Sequence, residues 1–237
     1  MHNALSLLRT LSLALLAACA DADGGTPVDP GPEPAAGAVT GIYMGLRVNN
    51  ATGQQYPDYY TFLPDGRAFR GTPDEGLDRP LDWAAICAAS ECGTYTVGGS
   101  EVRFLRQDAG EQRFTVDAQG VLRKPGSTQG YRRMQALDGV RLNGTWGWVS
   151  GADTLMRLSL GADGRFSERG TLAWVAWPGS GARAGGSGTY TLSRGTLTLQ
   201  YDGGPRVHLL MAVPPGVAAA PVPESVYLRV TTIDRLH

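Results

Sequence analysis

Beyond residue 2 the chain carries histidine at only two positions, His208 and His237. Any Ser-His-Asp or Cys-His relay would have to run through one of them. His208 sits in Arg206-Val207-His208-Leu209-Leu210-Met211, an apolar strand pattern, and reads as one polar face position; His237 is the last residue. A three-histidine zinc centre is excluded by count. Paired carboxylates across a cleft could hydrolyse a glycosidic bond, and acidic residues do crowd into Asp74-Glu75-Gly76-Leu77-Asp78-Arg79-Pro80-Leu81-Asp82. With Arg79 among them and a long connection around them, they read as a solvated loop and as the first place to look for an interaction. Gly179-Ser180-Gly181-Ala182-Arg183-Ala184 has the glycine spacing of a dinucleotide loop. No helix-forming run follows to aim an N-terminus at phosphate, so it reads as a hairpin loop. No cofactor and no metal are expected, and the balance leans away from an enzyme.

The tryptophans are the more suggestive group. Trp146 and Trp148 are two residues apart and therefore share one face of a strand, and Trp174 and Trp177 flank Val175-Ala176 ahead of the glycine loop. Two readings stand. They form an apolar core, or they line the mouth of a site for a small apolar or carbohydrate ligand.

The elements that would position these residues are strands. Ile42-Tyr43-Met44-Gly45-Leu46-Arg47-Val48 opens the body, and Tyr59-Tyr60-Thr61-Phe62-Leu63 runs into Pro64-Asp65-Gly66-Arg67. Alternating segments follow at Thr94-Tyr95-Thr96-Val97, Val102-Arg103-Phe104-Leu105 and Arg113-Phe114-Thr115-Val116. Aromatic and β-branched runs punctuated by Asp-Gly and Gly-Gly predict antiparallel hairpins. A two-residue primed turn is expected at each Asp-Gly. One short helix is expected within Leu81–Cys87.

The body repeats itself. Gly41-Ile42-Tyr43 matches Gly144-Thr145-Trp146, Asp65-Gly66-Arg67 matches Asp163-Gly164-Arg165, and Gly93-Thr94-Tyr95-Thr96 matches Gly188-Thr189-Tyr190-Thr191. Val102-Arg103-Phe104 matches Leu197-Thr198-Leu199, and Tyr131-Arg132-Arg133-Met134 matches Tyr227-Leu228-Arg229-Val230. The offsets are 103, 98, 95, 95 and 96 residues in unbroken order, which chance recurrence of hairpin vocabulary does not produce. With its Gly-x-Trp opening and its Gly-Thr-Tyr-Thr, turn, Leu-Thr-Leu hairpin, each unit resembles the small lipocalin-like domains of bacterial envelope lipoproteins. Tyr43 stands where that pattern has tryptophan. The resemblance spans about residues 40–232 and implies an all-β fold, in a family that hosts ligand binders, inhibitors and members of unknown role. Two tandem antiparallel barrels are expected, with one larger barrel to which both units contribute strands left open by the periodicity. Barrel closure would remove the exposed sheet edges that a unit this small could not otherwise protect.

Ahead of the body, Arg9 precedes the apolar run Leu11–Leu16, which is too short to span a bilayer. It ends in Leu16-Ala17-Ala18-Cys19, which resembles the bacterial lipobox. That resemblance implies a signal peptide over residues 1–18, cleavage before Cys19 and lipid, palmitate included, on that cysteine. Ala20 after the cysteine is similar to outer-membrane sorting, with the membrane face left open. Residues 20–38 hold four prolines and four glycines with almost no bulky apolar side chain, so they read as a disordered tether. If Cys19 carries lipid, Cys87 and Cys92 remain as an even pair in an oxidising compartment and are expected to form a small-loop disulfide.

The expected organisation is therefore a leader at 1–18, an anchor and tether at 19–39, and barrel units at 40–137 and 138–237. Outside the leader the chain has 20 basic and 22 acidic residues, with Lys124 the only lysine. It lacks the basic stripe that nucleic-acid binding requires. The functional expectation is a membrane-anchored, non-catalytic binding or accessory module for a small apolar or carbohydrate ligand. The alternative is a structural module with filled barrels that docks an envelope protein.

Overall fold

The structure, a computed structural model, describes residues 39–49, 51–150, 153–170, 185–217 and 222–237. Cys19, the leader and the tether, Trp174, Trp177 and the 179–184 glycine loop lie outside the described residues. Among the described residues no helix is long and apolar enough to cross a membrane.

Two closed, eight-stranded, up-and-down antiparallel barrels follow one another. Barrel 1 comprises β1 (Gly41–Val48), β2 (Gln55–Phe62), β3 (Arg67–Arg70), β4 (Cys92–Gly98), β5 (Glu101–Arg106), β6 (Gly110–Val116), β7 (Leu122–Arg123) and β8 (Gly130–Arg133). It closes where β8 pairs back onto β1 through Tyr43↔Arg133. The connecting strand β9 (Gln135–Ala136) leads into barrel 2. That barrel is built of β10 (Gly144–Ser150), β11 (Asp153–Leu160), β12 (Arg165–Arg169), β13 (Gly185–Ser193), β14 (Thr196–Tyr201), β15 (Arg206–Val213), β16 (Ser225–Leu228) and β17 (Thr231–Arg235). There β17 pairs onto β10 through Trp146↔Arg235, which makes Tyr43 and Trp146 equivalent.

The repeat holds bond by bond. In barrel 1 the Gly66 amide donates to Leu63 O (3.1 Å), the Leu63 amide to Arg67 O (2.8 Å) and the Tyr95 amide to Gly66 O (2.8 Å). In barrel 2 the Gly164 amide donates to Gly161 O (2.9 Å), the Gly161 amide to Arg165 O (2.8 Å) and the Tyr190 amide to Gly164 O (2.8 Å). The Tyr95 hydroxyl reaches Leu63 O at 3.0 Å, as the Tyr190 hydroxyl reaches Gly161 O at 3.0 Å. Each turn is a three-residue loop ending in a left-handed glycine, with φ of 83° at Gly66 and 80° at Gly164, and not the two-residue primed turn expected from Asp-Gly. Asp65 and Asp163 instead accept the amides of Arg67 and Arg165, which stabilises the loop.

Gly93 and Gly188 are glycines for a different reason. A Cβ on either would stand 1.9 Å from a backbone oxygen of the next strand, Leu105 O or Gln200 O. The fifth sequence match fails by one strand. Tyr131 lies on β8, whereas Tyr227 lies on β16, and the topological partner of β8 is β17. Ile233 on β17, paired with Val226, is the counterpart of Tyr131, paired with Leu122.

Both interiors are filled. In barrel 1 the Tyr60 ring meets Phe114 at 5.1 Å, Tyr131 at 5.2 Å and Phe104 at 6.2 Å, all edge-on. Tyr43, Phe62 and Tyr95 complete that plug. Barrel 2 is filled by Trp146, Leu158, Leu160, Phe166, Tyr190, Leu199, Leu209 and their neighbours.

A third apolar cluster, Ile42, Met134, Leu210, Ala212 and Tyr227, joins the barrels. It explains why β15 is buried on both faces. Leu209 and Met211 point into the barrel, while Leu210 and Ala212 meet barrel 1. On its β14 side β15 also takes up β9, through Ala212↔Ala136.

The long β3–β4 connection completes the junction. The Leu210 amide donates to Asp74 O at 2.9 Å, Arg229 Nε to Asp74 Oδ1 at 2.9 Å, and the Asp78 amide to Thr196 Oγ1 at 3.0 Å. The acidic stretch keeps Asp74, Asp78 and Asp82 exposed, as expected of a solvated loop, and is in addition strapped to barrel 2 by these bonds. Beyond it, α1 (Trp83–Ala89) is capped by Asp82, whose side chain accepts the Ala85 amide. The Cys87–Cys92 disulfide then ties the helix end to the start of β4, with Cα atoms 5.2 Å apart.

Candidate functional site

Strand alternation determines what each barrel presents at its ends. In barrel 1 the inward positions that pack the plug are Tyr43, Tyr60, Ala68, Phe104, Leu122 and Tyr131. Two residues further along the same faces stand charged side chains: Asp58 beyond Tyr60, Arg70 beyond Ala68, Arg106 beyond Phe104 and Lys124 beyond Leu122. Arg47 occupies the corresponding parity on β1, and Glu91 the position two before Gly93. Barrel closure carries these residues to one mouth above the aromatic plug.

They form a network with its carboxylates at the centre. Asp58 is buried, with 6 % exposure. Its Oδ1 accepts from Arg70 Nε at 2.8 Å and its Oδ2 from the Tyr131 hydroxyl at 2.8 Å. Glu91 bridges two arginines, accepting from Arg70 Nη1 at 3.0 Å and from Arg106 Nη1 at 2.9 Å. Burial opposes a charge on Glu91, but the hydrogen bonds from Arg106 and Arg70 outweigh it and hold its carboxyl below the ordinary value. Arg70 is pushed the other way. Burial works against its charge, yet Asp58, Tyr60 and Glu91 raise its pKa. Burial also raises the Tyr60 and Tyr131 phenols, with Asp58 adding to both shifts.

Lys124 differs from its neighbours. Its ammonium lies 5.0 Å from the Tyr60 ring centroid and 5.2 Å from that of Tyr131, a doubly aromatic seat. Its nearest carboxylate oxygen, Asp58 Oδ2, is 3.8 Å away, an ion pair but too long for a hydrogen bond. Burial lowers its pKa; Asp58 and Glu91 oppose that shift, and Arg70 and Arg47 add to it. An open cleft of about 880 Å³ runs over this mouth, lined by Arg47, Asp58, Arg70, Lys124, the 125–129 turn and Tyr131.

The expected residues fall elsewhere. Trp146 is fully buried in the core of barrel 2, its Nε1 donating to Pro223 O at 2.9 Å. Trp148 shares its face but lies at the barrel end, 48 % exposed. His208 is an outward residue of β15, bonded through Nδ1 to Thr198 Oγ1 at 3.0 Å, and burial, with nearby Arg79, lowers its pKa. Among the described residues no group of three or more His, Cys, Asp and Glu is placed to hold a metal ion.

Comparison with protein-family models, with curated proteins and with solved structures finds no match to this chain. The reading of the site therefore rests on its own chemistry. Both Asp58 oxygens already accept hydrogen bonds, and no histidine or free thiol is among the described residues at the mouth. Such an arrangement can orient a polar group through cationic donors.

Proposed function

We propose that the protein is a lipid-anchored cell-envelope module that acts by binding and not by catalysis, with the mouth of barrel 1 as its contact site. The observation that carries this reading is a ring of charged side chains, converging from separate strands, at the end of a barrel whose interior is filled. A filled interior disfavours a ligand held within a calyx and favours docking. Barrel 1 offers a charged mouth, where a tryptophan-lined mouth for an apolar or carbohydrate ligand was expected in barrel 2. The anchor part of the reading rests on Leu16-Ala17-Ala18-Cys19, and the outer membrane on Ala20. The lipocalin-like relationship is supported by the repeated Gly-Thr-Tyr-Thr hairpin and by the up-and-down strand order. A docking role for an envelope protein is favoured by one further observation, the apolar junction and strap that join the two barrels.

Two experiments test the reading. Cys19→Ser should abolish palmitate labelling and release the protein from membranes; unchanged labelling defeats the anchor. A thermal-shift screen of lipids, sugars, peptides and anions should find ligands whose effect is lost in Lys124→Met, since any ligand of the native state raises apparent stability. A ligand that stabilises Lys124→Met as strongly as the parent places the site elsewhere.

A further inference from the structure

We infer that the mouth of barrel 1 is a phosphate-recognition site, in which Lys124, Arg47 and Arg70 hold the tetrahedral oxyanion of a small ligand. This deepens the binding reading above and depends on it. The first support is the balance of groups. Four cations, Arg47, Arg70, Arg106 and Lys124, surround two carboxylates, Asp58 and Glu91.

The second support is which hydrogen-bonding capacity is spent. Asp58 uses both oxygens on Arg70 and Tyr131, and Glu91 uses both on Arg70 and Arg106. The cations keep donors to spare. Among the described residues Lys124 has no acceptor within hydrogen-bond distance, and Arg47 makes no ion pair. Arg70 engages Nε and Nη1, which leaves Nη2. A half-buried ammonium over two aromatic rings without an acceptor lacks hydrogen bonds that water or an anion must supply.

The third support is direction. The three donors come from β1, from β3 and from the residue after β7, and all line one open cleft. A planar carboxylate is satisfied by a single guanidinium fork, whereas a tetrahedral oxyanion accepts from several sides at once. The Lys124 pKa, lowered chiefly by burial and further by Arg70 and Arg47, agrees with the geometry, because an arriving anion would favour the charged ammonium against each of these. The phosphate could come from a soluble monoester, with three terminal oxygens, or from a phospholipid headgroup diester, with two, since both present a tetrahedral phosphate anion.

Lys124 is the only lysine in the chain, so 15N- and 13C-lysine labelling of the full chain yields one side-chain signal from the site itself. Inorganic phosphate should move that signal saturably. Arg47→Met should weaken the apparent affinity by about tenfold, the loss expected for one hydrogen bond between charged groups. Glycerol 3-phosphate binding more tightly than glycerophosphoglycerol supports a soluble monoester, and the reverse order supports a headgroup. A linear shift matched by chloride at equal ionic strength overturns the inference, as does equal affinity in Arg47→Met. A saturable response to a neutral sugar with none to phosphate overturns the anion while sparing the mouth as a binding site. Silence to every probe in the panel removes both.

Discussion

The two barrels share a scaffold and differ at one end. Register through β1–β2 and β10–β11 makes Asp58 the counterpart of Met156, and the following strands set Arg70 against Glu168 and Arg106 against Tyr201. Lys124 stands against Leu228. Where barrel 1 ends in a charged network, barrel 2 continues its core through Met156 and Leu228 and closes over one buried acid, Glu168, which accepts from the Tyr201 hydroxyl at 3.2 Å. The parts that make the barrel are shared: the left-handed glycine of the β2–β3 turn, the tyrosine that braces it, and the glycine beneath the next strand's carbonyl. Positions that fold the unit have been kept alike, and positions at the rim have diverged. The proposed contact site lies at the end where the two units differ, on a scaffold they share.

The shared part should be the more fragile. Gly93→Ala and Gly188→Ala each force a Cβ against backbone, which cannot give way as a side-chain tip can. Each should cost about 3 kcal/mol or more, at the upper end of overpacking penalties, seen as a lower urea midpoint. Sharply unequal costs would show that the two hairpins are not equivalent.

The divergent part should separate by coupling. Asp58→Ala strands Arg70 and the Tyr131 hydroxyl and should cost about 2–3 kcal/mol, less than for a fully buried pair because Arg70 is partly exposed. Met156→Ala should cost a similar amount, about 2–4 kcal/mol, by leaving a cavity. Only the first should be non-additive with Arg70→Met, by roughly 1 kcal/mol or more in a double-mutant cycle. Additivity there would mean that the network is a set of independent surface charges.

Reduction of Cys87–Cys92 should cost roughly 2 kcal/mol, the loop-entropy value for a small ring. The loosening should be confined to residues 80–92. The strap ahead of them is held by Leu210, Thr196 and Arg229 of barrel 2. Hydrogen exchange that rises across residues 72–79 as well would contradict the clamp.

The smallest effect is acidic. The Glu91 pKa is lowered in the folded state, so its stabilising contribution is complete above the ordinary value of 4.5 and is lost as pH falls through the lower folded value. The stability gap between the parent and Glu91→Gln should therefore be constant near neutrality and shrink below pH 4.5. A gap that widens on acidification would reverse the assignment.

Much of the fold was legible in the sequence because hairpins are local. Asp65-Gly66 and Gly93-Thr94-Tyr95 announce turn and strand within a few residues, and their counterparts lie in the same order. Tyr131 and Tyr227 misled because a tyrosine with an arginine two residues on is generic strand vocabulary, and only pairing shows them on non-equivalent strands. The junction was hidden for a related reason. Nothing local in Asp74-Glu75-Gly76-Leu77-Asp78 says that a second barrel will supply its partners.

The candidate site was hidden because its members come from separate strands, and a charge on a strand usually reads as an outward face. A signal was present all the same. Asp58, Arg70, Arg106 and Lys124 each lie two residues from an apolar inward position, so parity would have placed them inside the mouth. The tryptophans pointed to barrel 2, where Trp146 is core, one of the two readings given for it, and Trp148 is exposed at the barrel end.

The central claim is that recognition occurs at a polar rim above filled barrels. Titration with a neutral apolar probe tests it most directly. Dodecanol, followed by thermal unfolding, should give no saturable rise in Tm, because Tyr60, Phe104 and Phe114 in barrel 1 and Trp146, Leu158 and Leu199 in barrel 2 already occupy the interior. A saturable rise that disappears in Phe104→Trp or Leu199→Trp would show that a barrel opens to take an apolar guest, and would contradict the account.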